Sequence, residues 1–340
     1  MKKTVFVVDD CMSSLKMSTD VLYPHYTIVP IPSGEKAIAL LEKVKPDIIL
    51  LDIAMPKMNG FDVLKYLKSN DNYKDIPVIF LTAKSDHQTE IDALEMGVVD
   101  FITKPFNSAV LLNRVKHHID INNLVRERTS QLHSAKQDIV FVLADMVENR
   151  DESTGDHLGR TSRLVKTLLD SMLEKNIYYD HIKNWDFSLM AECSLLHDVG
   201  KINTPDAILK KPGKLTNEEF EIMKTHALIG AEIIEKIIAR SGENVFLNNA
   251  KIFALYHHER WNGTGYPYGI QGEDIPLQGR IMAIVDACDA LMSKRAYKEA
   301  FSADQSFEII AGEKGKHFDP NIVDIFYDIK DDICQNIYQQ

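Results

Sequence analysis

The stretch HHERWNGTGYP, from His257 to Pro267, sets two imidazoles and a glutamate directly before a turn. Asn262-Gly263 and Gly265 break a helix, and Pro267 forbids it from resuming. Neighbouring side chains on a helix point apart, so one buried face would not take both histidines. Of the 12 histidines, His157, His197, His226, His257 and His258 fall in or beside helical patterns with acids close by. Asp286 interrupts the apolar run IMAIVDACDAL, a costly place for a carboxylate unless it is paired or metal-bound. His197 and Asp198 end FSLMAECSLLHDVG, which reads as an apolar helix running to Gly200 as its C′ residue. Met190, Cys193 and Ser194 share the face of His197, which therefore points toward a core. Taken alone, the His197–Asp198 pair fits a structural hydrogen bond as well as a metal site. The whole set decides between them. Five histidines and Asp286, without a thiolate, exceed the needs of one tetrahedral zinc. They suit two metal ions bridged by a carboxylate, the arrangement of two-metal phosphoryl chemistry, and iron, manganese, cobalt or nickel fit better than zinc.

A second group of acids lies near the start. Short β-branched runs recur at TVFVV (4–8), YTIVPI (26–31), DIILL (47–51), PVIFL (77–81) and VVDFI (98–102), with helical patterns between them. Such alternation predicts a five-stranded parallel sheet wound on both faces, with function at the strand C-terminal ends. Polar residues stand at those ends: Asp9 and Asp10, then Asp52, Thr82 and Lys104. One such acid reads as a helix cap or a solvated loop residue; five polar residues at four strand ends do not. Carboxylates crowded at one edge call for a divalent cation, and hard oxygen ligands suit Mg²⁺. A carboxylate beside a cation, a lysine and a hydroxyl is also a phosphoryl acceptor.

Composition supports two domains. A chain of 340 residues, 45% hydrophobic and 26% charged, has the make-up of an ordinary soluble protein. MKKTVFVVDD meets acids too soon for a signal peptide, and no apolar run is long enough to predict a membrane span. Four scattered cysteines without CxxC spacing point to a reducing cytoplasm. The net charge of -11, split as -2 over residues 1–120 and -9 over the rest, argues against binding DNA. Between the two parts, apolar residues at 121, 125, 132, 135, 139, 142 and 146 predict a helix with a coiled-coil-like stripe. A parallel homodimer through this helix competes with a helix packed on its own domain.

With VVDD, LLDIAMPKMNG, LTA and KPF in order, residues 1–120 resemble a response-regulator receiver domain. The resemblance implies that Asp52 accepts phosphate from a sensor histidine kinase. Asp9, Asp10, Asp52 and the Ala54 carbonyl would bind Mg²⁺, Thr82 and Lys104 would contact the phosphoryl oxygens, and Phe101 would reorient on activation. Residues 147–340, after a linker helix over 121–146, resemble the all-α HD-GYP family of cyclic di-GMP phosphodiesterases. HDVGK (197–201), His226, HHERWNGTGYP, Asp286 and GKHFDP (315–320) carry that resemblance. It implies a di-metal core held by His197, Asp198, His226, His257, His258 and Asp286, with Asp198 bridging. Lys201 would contact a substrate phosphate, and Tyr266, Arg295 and Lys298 would hold the dinucleotide. The expected reaction opens cyclic di-GMP to pGpG and onward to GMP.

Two departures stand out. His157 matches a family position for a third metal, but Ser153 occupies the place where three-metal members carry Glu, so two metals are expected. The usual Asp-Arg-Pro-Tyr reads Lys294-Arg295-Ala296-Tyr297, without the proline that stiffens the loop. The alternatives are hydrolysis of another cyclic dinucleotide and a non-catalytic module that only responds to one. The complete ligand set with Lys201 argues against the latter.

Overall fold

The computed structural model describes residues 2–83, 87–151, 156–293 and 300–338. The chain divides into two compact units, Met1–His133 and Ser134–Gln340. The first alternates β1 (Thr4–Val8), α1 (Met12–Leu22), β2 (Thr27–Ile31), α2 (Gly34–Leu41), β3 (Ile48–Asp52), α3 (Gly60–Lys68), β4 (Val78–Thr82), α4 (His87–Glu95) and β5 (Asp100–Thr103), and then enters α5 (Ser108–Glu148). Its strands pair in parallel in the order β2-β1-β3-β4-β5, the doubly wound sheet expected from the sequence.

Strand alternation sorts the core into two layers. Phe6, Val8, Ile49, Leu51, Val78 and Phe80 pack under α2 and α3, against Ala37, Leu41, Val63, Leu64 and Leu67. Val5, Val7, Ile48, Leu50, Ile79 and Leu81 face the other way, onto Leu15 and Leu22 of α1 and Leu111, Val115 and Ile119 of α5. Strands buried on both faces read as unbroken apolar runs, which is why they were visible in the sequence. Strand order reverses between β1 and β3, so the crevice at their C-terminal ends holds Asp9 and Asp52.

The stripe at 121–146 is the continuation of a helix begun at Ser108. No Gly or Pro falls between residues 108 and 148, so nothing breaks the hydrogen-bond ladder at residue 120. Ile121, Val125, Leu132, Ile139, Val142 and Met146 are exposed along it.

The second unit comprises the last part of α5 followed by α6 (His157–Glu174), α7 (Tyr179–Ile182), α8 (Phe187–Ser194), α9 (Asp206–Leu209), α10 (Asn217–Ser241), α11 (Val245–Tyr256), α12 (Leu277–Met292), α13 (Ala303–Gly312), α14 (Pro320–Asp328) and α15 (Lys330–Asn336). Its core joins Leu164, Leu168 and Met172 of α6 with Ile234, Phe253, Ile281, Ile284 and Phe326. All Met190, Cys193, Ser194 and His197 side chains are buried, as their shared face predicts.

That apolar segment departs from expectation at its end. The α-helix stops at Ser194, and the chain tightens into i→i−3 turns: His197 N donates to Ser194 O at 3.1 Å and Val199 N to Leu196 O at 3.2 Å. A 3₁₀ turn then spans Val199–Asn203. Gly200 is therefore no αL helix cap. Its hydrogen is required by close approach, since a Cβ there would stand 1.9 Å from the His226 carbonyl oxygen and 2.6 Å from Gly230 N. The turn bearing Asp198 is thus pressed against the α10 turn bearing His226.

Gly200→Ala should force these two turns apart. We expect a loss of about 1–3 kcal/mol or more, the range for overpacking, read by urea unfolding, together with weakened metal binding. Wild-type stability in the variant would show that the approach is not required.

Candidate metal centre

Four imidazoles turn their Nε2 atoms inward because their Nδ1 atoms are tied back. His197 Nδ1 lies 2.8 Å from Ser194 O, His226 Nδ1 2.6 Å from Met223 O, and His257 Nδ1 2.9 Å from Ala254 O. His157 Nδ1 lies 2.6 Å from Asp289 Oδ2. A ring N–H donated to a carbonyl or carboxylate fixes the tautomer and leaves a bare lone pair on the other nitrogen.

Those lone pairs meet a carboxylate. Asp198 Oδ1 is 3.2 Å from His226 Nε2 and 3.6 Å from His257 Nε2, while Oδ2 is 3.4 Å from His197 Nε2 and 2.6 Å from Lys201 Nζ. His226 Nε2 and His257 Nε2 stand 3.3 Å apart. Asp198, His226, His257 and His258 form one potential ligand group, and His157, His197 and Asp286 a second. His197 Nε2 and Asp198 Oδ1 are buried without a hydrogen-bond partner among the described residues. Orphaned buried acceptors are costly, and electron-rich atoms facing each other need a cation between them. A divalent metal fits this donor set.

Electrostatics agree. Burial pushes the His258 imidazole well below its ordinary value and lowers His257 as well, so both are neutral and able to ligate. Burial would raise the Asp198 carboxyl, but Lys201 and His197 hold it well below the usual carboxylate range. Burial would lower His197, yet the Asp198 carboxylate lifts it to about 9. Without metal this pair retains a proton, which a bound cation would displace.

The opening motif folds around this cluster. His257 and His258 sit just past the last turn of α11, with ring centroids 4.0 Å apart, and Tyr266 packs on His258 at 4.7 Å. Gly265 lets the loop return: a Cβ would lie 2.3 Å from Arg260 N. Buried Glu259 accepts from Tyr268 N at 2.8 Å and Gly269 N at 3.2 Å. Trp261 N donates to His317 O at 3.0 Å and Asn262 N to Lys316 O at 2.9 Å, which ties HHERWNGTGYP to GKHFDP. Beside Tyr266 opens a cavity of 430 Å³, lined also by Phe220, Lys224, His258, Arg260 and His317.

Sequence reading missed several of these residues. Lys224 and Phe220 precede His226 by two and six residues on α10 and looked like ordinary surface residues. Asp289 is 1% exposed and gathers His157, Arg160 (Nε 2.5 Å) and Tyr338 (OH 2.9 Å). The signal was its place three residues beyond Asp286, on the same helix face. Burial would raise the Asp289 carboxyl, but His157 and Arg160 drive it far below the usual range. Arg295, Lys298 and Ser153 lie outside the described residues.

In the first unit, Lys104 Nζ contacts Asp9 Oδ2 at 2.6 Å and Asp52 Oδ1 at 3.0 Å. Asp9, Asp10 and Asp52 are close enough to share one cation. Burial raises the Asp52 carboxyl, against the pull of Lys104. Thr82 is buried at the end of β4, and Phe101 packs edge-on against Phe80 at 6.2 Å.

Residues 142–322 match the HD domain, and residues 5–116 match the response regulator receiver domain. The chain is 38% identical to the "Probable cyclic di-GMP phosphodiesterase" of Vibrio cholerae, over 95% of this chain and 77% of that protein. The chain belongs to the HD-domain family, with a response-regulator receiver domain ahead of the HD domain. It is also 32% identical to the "Cyclic di-GMP phosphodiesterase response regulator RpfG" of Xanthomonas campestris, covering 94% of this chain and 86% of that protein. The "3′3′-cGAMP-specific phosphodiesterase 2" of Vibrio cholerae is 32% identical over 94% of this chain and 59% of its own length. As an HD domain, the helical unit binds divalent metal, and its His/Asp groups are the candidates for holding it. Among the described residues no helix is long and apolar enough to cross a membrane.

Asp198→Ala removes the carboxylate that lies between the two ligand groups. Most bound metal should be lost, as counted by plasma mass spectrometry on the purified chain. Retention of two metals per chain would exclude Asp198 as the bridge.

Proposed function

We propose that this HD-domain protein hydrolyses cyclic di-GMP to pGpG and then GMP, under control of phosphorylation at Asp52. One observation carries the reading: two His/Asp ligand groups meet at Asp198 beside a cavity walled by aromatic and cationic side chains. The names of the relatives point the same way. We assign residues 1–120 to the receiver, 121–146 to the linker helix and 147–340 to the phosphohydrolase, in a cytoplasmic protein.

A metal pair, when bound, supplies charge stabilisation and activation of water at a phosphodiester. Iron, manganese, nickel or cobalt suits the imidazole-rich donors better than zinc, and Mg²⁺ suits Asp9, Asp10 and Asp52. The chain does the rest. Lys201, held on Asp198 at 2.6 Å, sets an ammonium beside the metals where a phosphate oxygen would bind. Lys224 and Arg260 add positive charge along the cavity, and Tyr266 offers a ring wall for a base. Arg295 and Lys298 are proposed to clamp the dinucleotide. A dianionic substrate needs such charges in place before it arrives, because oriented donors need no reorganisation in the transition state.

Incubation with a panel of cyclic dinucleotides and Mn²⁺ or Fe²⁺, with products identified by mass, tests the activity. Cyclic di-GMP should be turned over fastest, giving pGpG first. Preferential cleavage of 3′3′-cGAMP would support the second reading, which the cGAMP-specific relative favours. No turnover of any cyclic dinucleotide would leave only a binding module.

Control requires an element with two arrangements that reaches both units. We propose α5, dimerised through the exposed stripe from Ile121 to Met146, with a sensor histidine kinase supplying the phosphate. Beryllofluoride, a phosphate mimic, should change the hydrolysis rate by roughly 5–150-fold, the range of ordinary allosteric coupling. One residue inserted at Ala135 rotates the stripe by about 100° and should abolish that response while basal turnover persists. An unchanged response would reduce α5 to a tether.

A further inference from the structure

Arg260 stands in the cavity beside Tyr266 as a cation without an acid. Among the described residues its guanidinium has no carboxylate partner, and its one side-chain hydrogen bond, donated by Nη2 to His317 Nδ1, is long at 3.5 Å. Lys224, the other cation there, is already paired, with Nζ 2.7 Å from Glu221 Oε1. Burial, helped by the Arg260 charge, lowers His317 to about 4, so its ring is neutral and Nδ1 can accept. An arginine carries five N–H donors in a fixed fork and no acceptor. One long bond leaves most of that fork to be filled from outside.

The main chain sets where the fork starts. Gly263 N donates to Arg260 O at 2.8 Å, and the next two amides, of Trp261 and Asn262, are bound by His317 O and Lys316 O. Gly265 passes so close that a Cβ there would meet Arg260 N. The imidazole that accepts from Arg260 thus belongs to the segment that anchors its neighbours.

A phosphate does not explain this cavity. Phosphate oxygens belong beside the metals and Lys201, yet of the two ligand groups only His258 lines the cavity among the described residues. Its walls include the rings of Phe220 and Tyr266, with centroids 6.3 Å apart and planes at 85°. Aromatic walls suit a flat aromatic ligand such as a nucleobase. No carboxylate lines the cavity among the described residues, so the fork must meet acceptors on that base. Guanine offers two on one edge, O6 and N7, which match two N–H groups of one guanidinium. Adenine sets its N6 donor where O6 would be.

We infer that Arg260 selects guanine over adenine by donating to O6 and N7 of the base seated in this cavity, with His317 as its positioning residue. The inference rests on the reading that cyclic dinucleotides are the substrates. A mixed dinucleotide with one guanine still satisfies the fork, whereas cyclic di-AMP does not.

The test is hydrolysis by the full chain with Mn²⁺, comparing cyclic di-GMP with its 7-deaza analogue, in which C–H replaces N7 of each guanine. Wild type should lose roughly 10–150-fold in kcat/KM on the analogue, the worth of one charge-assisted hydrogen bond. R260M keeps the stem and removes every donor. It should hydrolyse both dinucleotides slowly and with nearly equal kcat/KM, its metal content unchanged. A merely structural role would slow both and leave the preference for N7 intact. If R260M fails to fold, the wild-type comparison still decides. Equal kcat/KM for the two substrates in wild type, or an undiminished preference in R260M, would overturn the inference while the proposed function stands. A wild-type chain that hydrolyses no cyclic dinucleotide would overturn both.

Discussion

Lone pairs repel, and the helical unit is organised around that fact. His226 Nε2, His257 Nε2 and Asp198 Oδ1 crowd within 3.2–3.6 Å of one another, an arrangement that no hydrogen-bond pattern satisfies fully. The fold holds them there by anchoring each ring from behind. Three Nδ1 atoms are spent on backbone carbonyls of their own helical turns, which makes the anchor a property of helix geometry and not of a distant partner. His157 differs, because its anchor is Asp289 on α12. Packing of α6, α8, α10, α11 and α12 therefore has one task beyond burying Leu164 or Phe253: to bring five chain segments to one cation-shaped space.

The receiver unit solves a related problem with different means. Asp9, Asp10 and Asp52 converge as well, but Lys104 already stands between Asp9 and Asp52. That leaves a net negative crevice at the C-terminal ends of the central strands. The helical site, walled by imidazoles and buried, suits ions that stay.

Much of this was legible in the sequence. Both layers of the sheet were visible because strands buried on two faces are written as apolar runs, with the acids just past their ends. The candidate ligand histidines were visible because they fall in or beside helical patterns with acids close by. What escaped was whatever depends on helix ends and distant packing. The helix before His197 stops at Ser194 and not at Gly200, since propensity says nothing of the His226 carbonyl that will press on Gly200. Phe220 and Lys224 carry no mark in the sequence, and only the placement of α10 brings them to the cavity beside Tyr266. Their placement is a tertiary fact.

The loop after His258 is shaped by main-chain atoms. Trp261 and Asn262 amides bind the carbonyls of His317 and Lys316, and Gly265 folds against the backbone of Glu259 and Arg260. Side-chain changes at Thr264, Phe220 or Lys224 leave those bonds untouched. Over evolutionary time the cavity wall is thus free to drift while its main-chain frame, and the histidines behind it, stay in place.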